Sequence, residues 1–149
     1  MFLHRNTDRL GRLPDVEIRY DASPTRLPEV PFMATYTLCR TDELPVGQRR
    51  AFGVGGEKLL LFHLADGYYA TQTHCTHLFA PLAKGKILEE CQLQCPFHRA
   101  RFDIRTGKVI EWANWPPGIV NVLNAVRHEQ PLKTWPVKVV GNQVQVEIG

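Results

Sequence analysis

The chain has 149 residues and a formal net charge of +3, and 22% of its residues are charged. This length suits one domain with a buried core and leaves no room for a second catalytic domain. The charge is too small and too evenly spread to predict nucleic-acid binding, and no apolar stretch approaches the roughly 20 residues of a membrane span. We therefore expect neither a nucleic acid nor a membrane as a partner.

Residues 1 to 33 differ in composition from the rest of the chain. Pro14, Pro24, Pro28 and Pro31 interrupt a polar stretch that has neither a helical nor a strand period. This pattern predicts a Pro-rich, poorly ordered N-terminal arm, with docking of the arm on a partner or on the sheet as the alternative. The arm lacks the apolar core of a secretory signal and is not poor in acidic residues, so we expect a cytoplasmic protein.

Short strands separated by turn residues are predicted from Tyr36 onward. Strand patterns cover residues 36–40, 48–54, 58–64 and 68–71, and Gly55-Gly56 and Asp66-Gly67 have the composition of hairpin turns. Consecutive strands joined by tight turns pair in an antiparallel manner. The first half of the chain therefore indicates an antiparallel all-β fold.

Two short segments that follow these strands alternate cysteine and histidine. They are Cys75-Thr-His77 and Cys95-Pro-Phe-His98, and residues 78 to 94 separate them. Thiolates neutralise the charge of ferric iron, and neutral imidazoles bind a second metal atom through one ring nitrogen while the other nitrogen faces outward. The two remaining cysteines, Cys39 and Cys91, are expected to be buried thiols in a reducing compartment.

A structural zinc site is the competing interpretation of these four residues, since two Cys and two His also form tetrahedral sites. Zinc fingers normally follow the order Cys, Cys, His, His. The order here is Cys, His, Cys, His, which favours a binuclear iron-sulfur centre over zinc.

The last third of the chain contains one helical pattern between strand patterns. Ile119, Val122, Leu123 and Val126 recur at helical spacing, whereas residues 108–112, 132–140 and 144–148 have strand character, with a turn at Gly141-Asn142. We expect the apolar helix face to pack on the protein's own sheet, with a partner-binding helix as the alternative.

The two Cys-His segments give the chain its resemblance to Rieske-type 2Fe-2S ferredoxins, over roughly residues 34 to 149. The resemblance implies one Rieske 2Fe-2S cluster held by Cys75, His77, Cys95 and His98, with both thiolates on one iron and both imidazoles on the other. It also implies a Rieske domain over residues 34–149, in which an antiparallel β-sandwich base carries an inserted cluster-binding part at about residues 72–107. Residues 115–118 resemble the Pro-rich third loop that covers such clusters.

Several positions depart from the high-potential respiratory members of that family. Ala80 and Phe97 stand where those proteins have a disulfide, and Ala100 and Phe102 stand where they have hydroxyl donors to the cluster sulfurs. Without these donors the reduced cluster is less stable, so we expect a low reduction potential. Arg99 stands where Gly is usual, so it must adopt an unusual backbone dihedral or the loop must differ.

The resemblance implies an electron carrier, not an enzyme in its own right. The expected role is the ferredoxin of a ring-hydroxylating oxygenase system, with an NAD(P)H-dependent flavin reductase as donor and the oxygenase as acceptor. The exposed edges of His77 and His98 are expected to form the electron exit. The alternatives are the small Rieske subunit of a cytoplasmic NADH-dependent nitrite reductase and a standalone redox domain.

Overall fold

The computed structural model describes residues 32–149, whose strands form three antiparallel sheets. Residues 1–31, and with them nearly all of the predicted N-terminal arm, lie outside the described residues. The elements in chain order are β1 (Ala34–Arg40), β2 (Arg49–Val54), β3 (Glu57–Leu64), β4 (Gly67–Gln72), β5 (Lys86–Leu88), β6 (Gln92–Gln94), β7 (Arg101–Asp103), β8 (Val109–Glu111), α1 (Ile119–Val126), β9 (Thr134–Trp135), β10 (Val137–Val140) and β11 (Gln143–Ile148).

Two of the sheets form the sandwich base. One has the strand order β1-β11-β10 and the other β2-β3-β4-β9. Gly55 and Gly56 close the β2-β3 hairpin with positive φ values of 57° and 77°, a conformation that glycine adopts without steric cost. The all-β sandwich with its predicted hairpins is confirmed.

Strand β3 is buried on both faces and joins the base to the rest of the domain. Leu59 and Leu61 belong to the core between the two base sheets. Leu60, Phe62 and Leu64 alternate with them and belong to a second core, which also contains Cys75 and Cys95. The continuous apolar run in the sequence therefore reflects a strand with a core on each side.

The third sheet, with the order β5-β6-β7-β8, is inserted between β4 and β9. Each of its four strands has only three residues, and the second Cys-His segment lies in the connection between β6 and β7. After it, Asp103 Oδ1 accepts backbone hydrogen bonds from Arg105 and Thr106 and shapes the turn before Gly107. This part of the fold therefore holds one Cys-His segment on a small sheet whose inner residues fill the second core.

The single pattern predicted over residues 132–140 is two strands in two different sheets. β9 pairs with β4, whereas β10 pairs with β11, and Pro136 lies between them. Proline has no backbone donor and therefore interrupts a ladder at the point where the chain changes sheets.

Helix α1 forms where it was expected, but most of its predicted apolar stripe faces away from the protein. Val120 is buried, whereas Ile119, Val122 and Val126 are 64%, 69% and 78% exposed. The expectation that the apolar stripe packs on the protein's own sheet is therefore wrong for these three residues, whereas Leu123, the fourth residue of the stripe, is half-buried. Among the described residues, no helix is long and apolar enough to cross a membrane.

Candidate metal centre

The fold brings Cys75, His77, Cys95 and His98 together from two separate loops. The thiols of Cys75 and Cys95 form a hydrogen bond, and both residues are 1% exposed. The imidazole rings of His77 and His98 lie edge to face, with 5.0 Å between their centroids. The site thus contains one pair of sulfur atoms and one pair of imidazoles.

Residues 75–80 and 95–100, called here the first and second loops, share one backbone fold. In each loop the cysteine N–H donates to the carbonyl of the alanine five residues later, at 2.8 Å in both cases. In each loop the residue just before that alanine, four positions after the cysteine, has a positive φ, 55° at Phe79 and 62° at Arg99. Arg99 therefore adopts the left-handed dihedral that was one of its two expected alternatives.

The backbone of both loops is arranged to stabilise sulfur anions. The hydrogen bond from Cys75 is the largest cause of a lowered pKa at Cys95, and the backbone N–H groups of Phe97 and His98, which donate to the same sulfur, lower it further. The same thiol pairing, followed by burial, raises the pKa of Cys75. This pairing favours the thiolate form of Cys95, which is the form that binds iron.

His77 and His98 differ sharply in exposure. His77 is 1% exposed, whereas His98 is half-buried. Burial lowers the pKa of His77, and His98 lowers it further, so His77 is held neutral as a metal-binding imidazole must be. The expectation that both rings present an open edge is thus wrong for His77, because helix α1 covers it: Asn124 Oδ1 lies 3.1 Å from its Nε2 atom.

The donor atoms fit a binuclear cluster. His77 Nδ1 is buried and has no hydrogen-bond partner, which is costly for a ring nitrogen unless a metal atom accepts its lone pair. Within residues 32–149, no three His, Cys, Asp or Glu side chains converge on one point as a single metal ion would require. Two sulfurs and two imidazoles in separate pairs match a 2Fe-2S centre better than a tetrahedral zinc site.

A third loop and the segment around helix α1 hold the two Cys-His loops in place. Asn114 N–H donates to the His98 carbonyl at 3.0 Å, and the Arg99 guanidinium lies 5.0 Å from the centroid of the Trp115 ring. Thr76 Oγ1 donates to the Gln130 carbonyl at 2.7 Å on the other side. The residues that resemble a Pro-rich third loop therefore contact the second loop.

Two residues that contact the site were not identified from the sequence. Asn124 is an ordinary helix residue by its pattern, and only the tertiary fold places it on His77. Trp112 packs edge to face on His77 with 5.1 Å between ring centroids. Nothing in the local sequence separates either residue from structural neighbours.

The other sequence candidates stay outside the site. Cys39 is a buried thiol in the core between the base sheets, and Cys91 is a half-buried thiol beside the second core; neither is in a disulfide. His74 is exposed and lies 2.8 Å from the Thr73 hydroxyl. Ala100 and Phe102 are fully buried and, as expected from their side chains, offer no hydroxyl donor.

Comparison with known proteins gives one consistent family. The model of the Rieske [2Fe-2S] domain matches residues 34–136. The ferredoxin component of the p-cumate 2,3-dioxygenase system of Pseudomonas putida is 32% identical over 113 residues, which cover 75% of this chain and 84% of that protein. The ferredoxin of carbazole 1,9a-dioxygenase from Nocardioides aromaticivorans IC177 superposes with a TM-score of 0.61 at 26% identity, over 76% of this chain and 96% of the other.

A third similar chain comes from a solved complex. It is a chain of the complex of reduced oxygenase and oxidized ferredoxin in carbazole 1,9a-dioxygenase, with a TM-score of 0.58 and 28% identity. The match covers 75% of this chain and 91% of that chain.

Proposed function

The chain belongs to the Rieske [2Fe-2S] domain family, and from this premise we propose that it is a one-electron carrier, not an enzyme, with one Rieske 2Fe-2S cluster. Cys75 and Cys95 would hold one iron and His77 and His98 the other. When bound, the cluster supplies a single electron that it accepts from a donor and passes to an acceptor. The observation that carries the proposal is the pairing of two sulfurs and two imidazoles in loops of matching backbone.

The protein's own residues have three tasks in this role. The backbone N–H groups that follow each cysteine stabilise negative charge on the sulfurs. The core around β3 keeps water from the cysteine side, since Cys75 and Cys95 pack among buried apolar residues. His98 is half-buried and is the ring of the pair with access to solvent.

We further propose that the donor is an NAD(P)H-dependent flavin reductase and that the acceptor is a ring-hydroxylating oxygenase. Support comes from the relatives described above, which are ferredoxin components of dioxygenase systems, and from the solved complex of one of them with its oxygenase. These relatives favour an oxygenase system over a nitrite reductase or a standalone redox domain. The free thiols of Cys39 and Cys91 support a cytoplasmic, reducing location.

The test is reconstitution of electron flow with separate components. The holoprotein would replace the ferredoxin of the p-cumate 2,3-dioxygenase system in a mixture of that system's reductase, its oxygenase and NADH. We expect the cluster spectrum to bleach with the reductase and a limiting amount of NADH, and to recover when the oxygenase, its substrate and dioxygen are added. A loaded cluster that neither component reduces nor oxidises would contradict the proposed role.

A further inference from the structure

Helix α1 touches the candidate metal centre through one polar side chain. The ring nitrogen Nε2 of His77 lies 3.1 Å from Oδ1 of Asn124. Asn124 follows Val120 by four residues, so the two lie one turn apart on the same face of the helix. Val120 itself is 2% exposed and packs in the core that contains Cys75 and Cys95. The inner face of the helix thus places one apolar and one polar side chain against the site.

Two consecutive hydrogen bonds determine which ring nitrogen of His77 carries the proton. The carbonyl of Ala113 only accepts, so the amide nitrogen Nδ2 of Asn124 donates to it at 2.8 Å. The oxygen Oδ1 must then face His77, and since that oxygen also only accepts, the proton of the His77 ring is on Nε2. The lone pair is therefore on Nδ1, the buried ring nitrogen that has no partner in the protein.

We propose that helix α1 closes one of the two imidazole edges of the metal centre, and that Asn124 is the positioning residue that holds His77 with its Nδ1 lone pair directed to the cluster. His98 is then the only ligand imidazole through which a partner exchanges electrons. This inference rests on the proposed cluster ligation and on nothing about the identity of the partners.

The asymmetry between the two rings supports this assignment. His77 is 1% exposed beneath the helix, whereas His98 is half-buried and its neighbour Phe97 is 53% exposed. The rate of electron transfer falls steeply as the distance between the two redox centres grows. A partner bound to the outer face of the helix is separated from His77 by the helix itself. The side of His98 has no such cover among residues 32–149.

The cover is anchored on the loop that it closes. Arg127, the residue after the helix, lies with its guanidinium 5.5 Å from the centroid of the Phe79 ring in the first loop. Thr76 in the same loop donates from its hydroxyl to the carbonyl of Gln130 at 2.7 Å. These two contacts hold the helix and the residues after it on the first loop, in addition to the contact between Asn124 and His77. The helix is therefore held in place over His77.

Proton exchange at the outer ring nitrogens tests the closure directly. Electron–nuclear double resonance of the reduced holoprotein after transfer into D₂O follows the replacement of the Nε2 protons of the ligand imidazoles. In the native protein we expect one proton to exchange on mixing and the other to exchange slower by about tenfold or more, because hydrogen-bonded buried groups exchange only on local opening. In Asn124→Ala both should exchange fast, whereas the matched control Asn121→Ala, at an exposed position of the same helix, should match the native protein.

A second pair of variants separates positioning from simple cover. Asn124→Leu fills a similar volume but cannot accept a hydrogen bond, so it should release iron to a chelator about tenfold faster than the native protein, as Asn124→Ala should. Native iron retention in Asn124→Leu would overturn the positioning role. Fast exchange of both ring protons in the native protein, or a slow proton that persists in Asn124→Ala, would overturn the closure. Absence of a Rieske electron paramagnetic resonance signal would instead refute the proposed cluster itself.

Discussion

Phe79 and Arg99 occupy equivalent positions in the two Cys-His loops, and both have left-handed backbone dihedrals, with φ values of 55° and 62°. Each follows its cysteine by four residues and precedes the alanine whose carbonyl accepts the cysteine N–H. A left-handed conformation costs a residue with a side chain roughly 1 to 2 kcal/mol, a cost that glycine avoids. The two loops therefore share one strained geometry although their sequences differ.

The dihedral of Arg99 predicts an inverted order of stability for two variants. Both Arg99→Ala and Arg99→Gly lose the guanidinium that lies over Trp115, but only the alanine keeps the steric cost. We expect Arg99→Gly to be the more stable of the two by about 1 kcal/mol. Thermal unfolding of both variants at the same scan rate should therefore show a higher midpoint for Arg99→Gly. At Lys138, an exposed strand residue, the glycine variant should instead be the less stable one, and the same order at both positions would contradict the argument.

Removal of a ligand should destroy or convert the cluster, whereas removal of the other thiols should not. We expect Cys75→Ser and His98→Ala to lose the visible absorption of the purified protein, because each removes one of the four proposed ligands. Cys91→Ser and Cys39→Ser should keep it, since these thiols lie outside the site. An intact cluster in His98→Ala, or its loss in Cys91→Ser, would show that the ligand set is wrong.

The cluster should have a low potential because no hydroxyl is available at Ala100 or Phe102, which are both fully buried. Voltammetry at neutral pH should give a midpoint on the order of −150 mV, at the lower end of the Rieske range. The double change Ala100→Ser and Phe102→Tyr should raise the midpoint, because hydroxyl donors stabilise the more negative reduced form. Ala70→Ser, a buried alanine in the base core, is the control and should leave it unchanged. A native midpoint above about +150 mV would contradict the explanation.

An ion pair connects the base to the cluster-binding part and predicts a response to acid. Arg105 Nε lies 2.7 Å from Asp66 Oδ2, and this hydrogen bond is the largest cause of the lowered pKa of Asp66. A carboxyl whose folded pKa is lowered contributes stability above its unfolded pKa of about 4, and that contribution is lost as the pH falls through the folded value. The contribution is small because the pair is exposed. We expect unfolding midpoints measured from pH 6 to pH 3 to fall less in Asp66→Asn than in the native protein, and parallel curves would contradict this.

Charge near His98 should influence the encounter with the acceptor. Arg99 is exposed beside His98, so Arg99→Glu should lower the rate of electron transfer to an oxygenase and reverse its dependence on ionic strength. Lys138→Glu makes the same charge change in strand β10 of the base and should have little effect. Stopped-flow oxidation of the reduced protein measures both, and equal effects of the two variants would place the docking surface elsewhere.

Local patterns in the sequence predicted the base well and the surroundings of the site poorly. The hairpin turns at Gly55-Gly56 and Asp66-Gly67 follow from residues that favour positive φ, and the strands beside them are long enough to show a period. Strands β5, β6 and β7 have three residues each, too few to show a period.

The orientation of helix α1 depends on tertiary contacts that the sequence pattern does not contain. Hydrophobic spacing predicted that Ile119, Val122, Leu123 and Val126 face inward, yet all of them except Leu123 are exposed. Asn124 faces inward instead, because its amide satisfies both the Ala113 carbonyl and the His77 ring nitrogen. Val120, one turn before Asn124, is buried on the same inner face of the helix.

The most direct test of the account is electron paramagnetic resonance of the dithionite-reduced protein, with and without ¹⁵N-labelled histidine. We expect the signal of one 2Fe-2S cluster with two strongly coupled histidine nitrogens and a mean g value clearly apart from that of all-cysteine clusters, because His77 and His98 bind one iron and Cys75 and Cys95 the other. A colourless zinc-loaded protein, or a signal with a mean g value like that of all-cysteine clusters and no coupled histidine nitrogen, would contradict it.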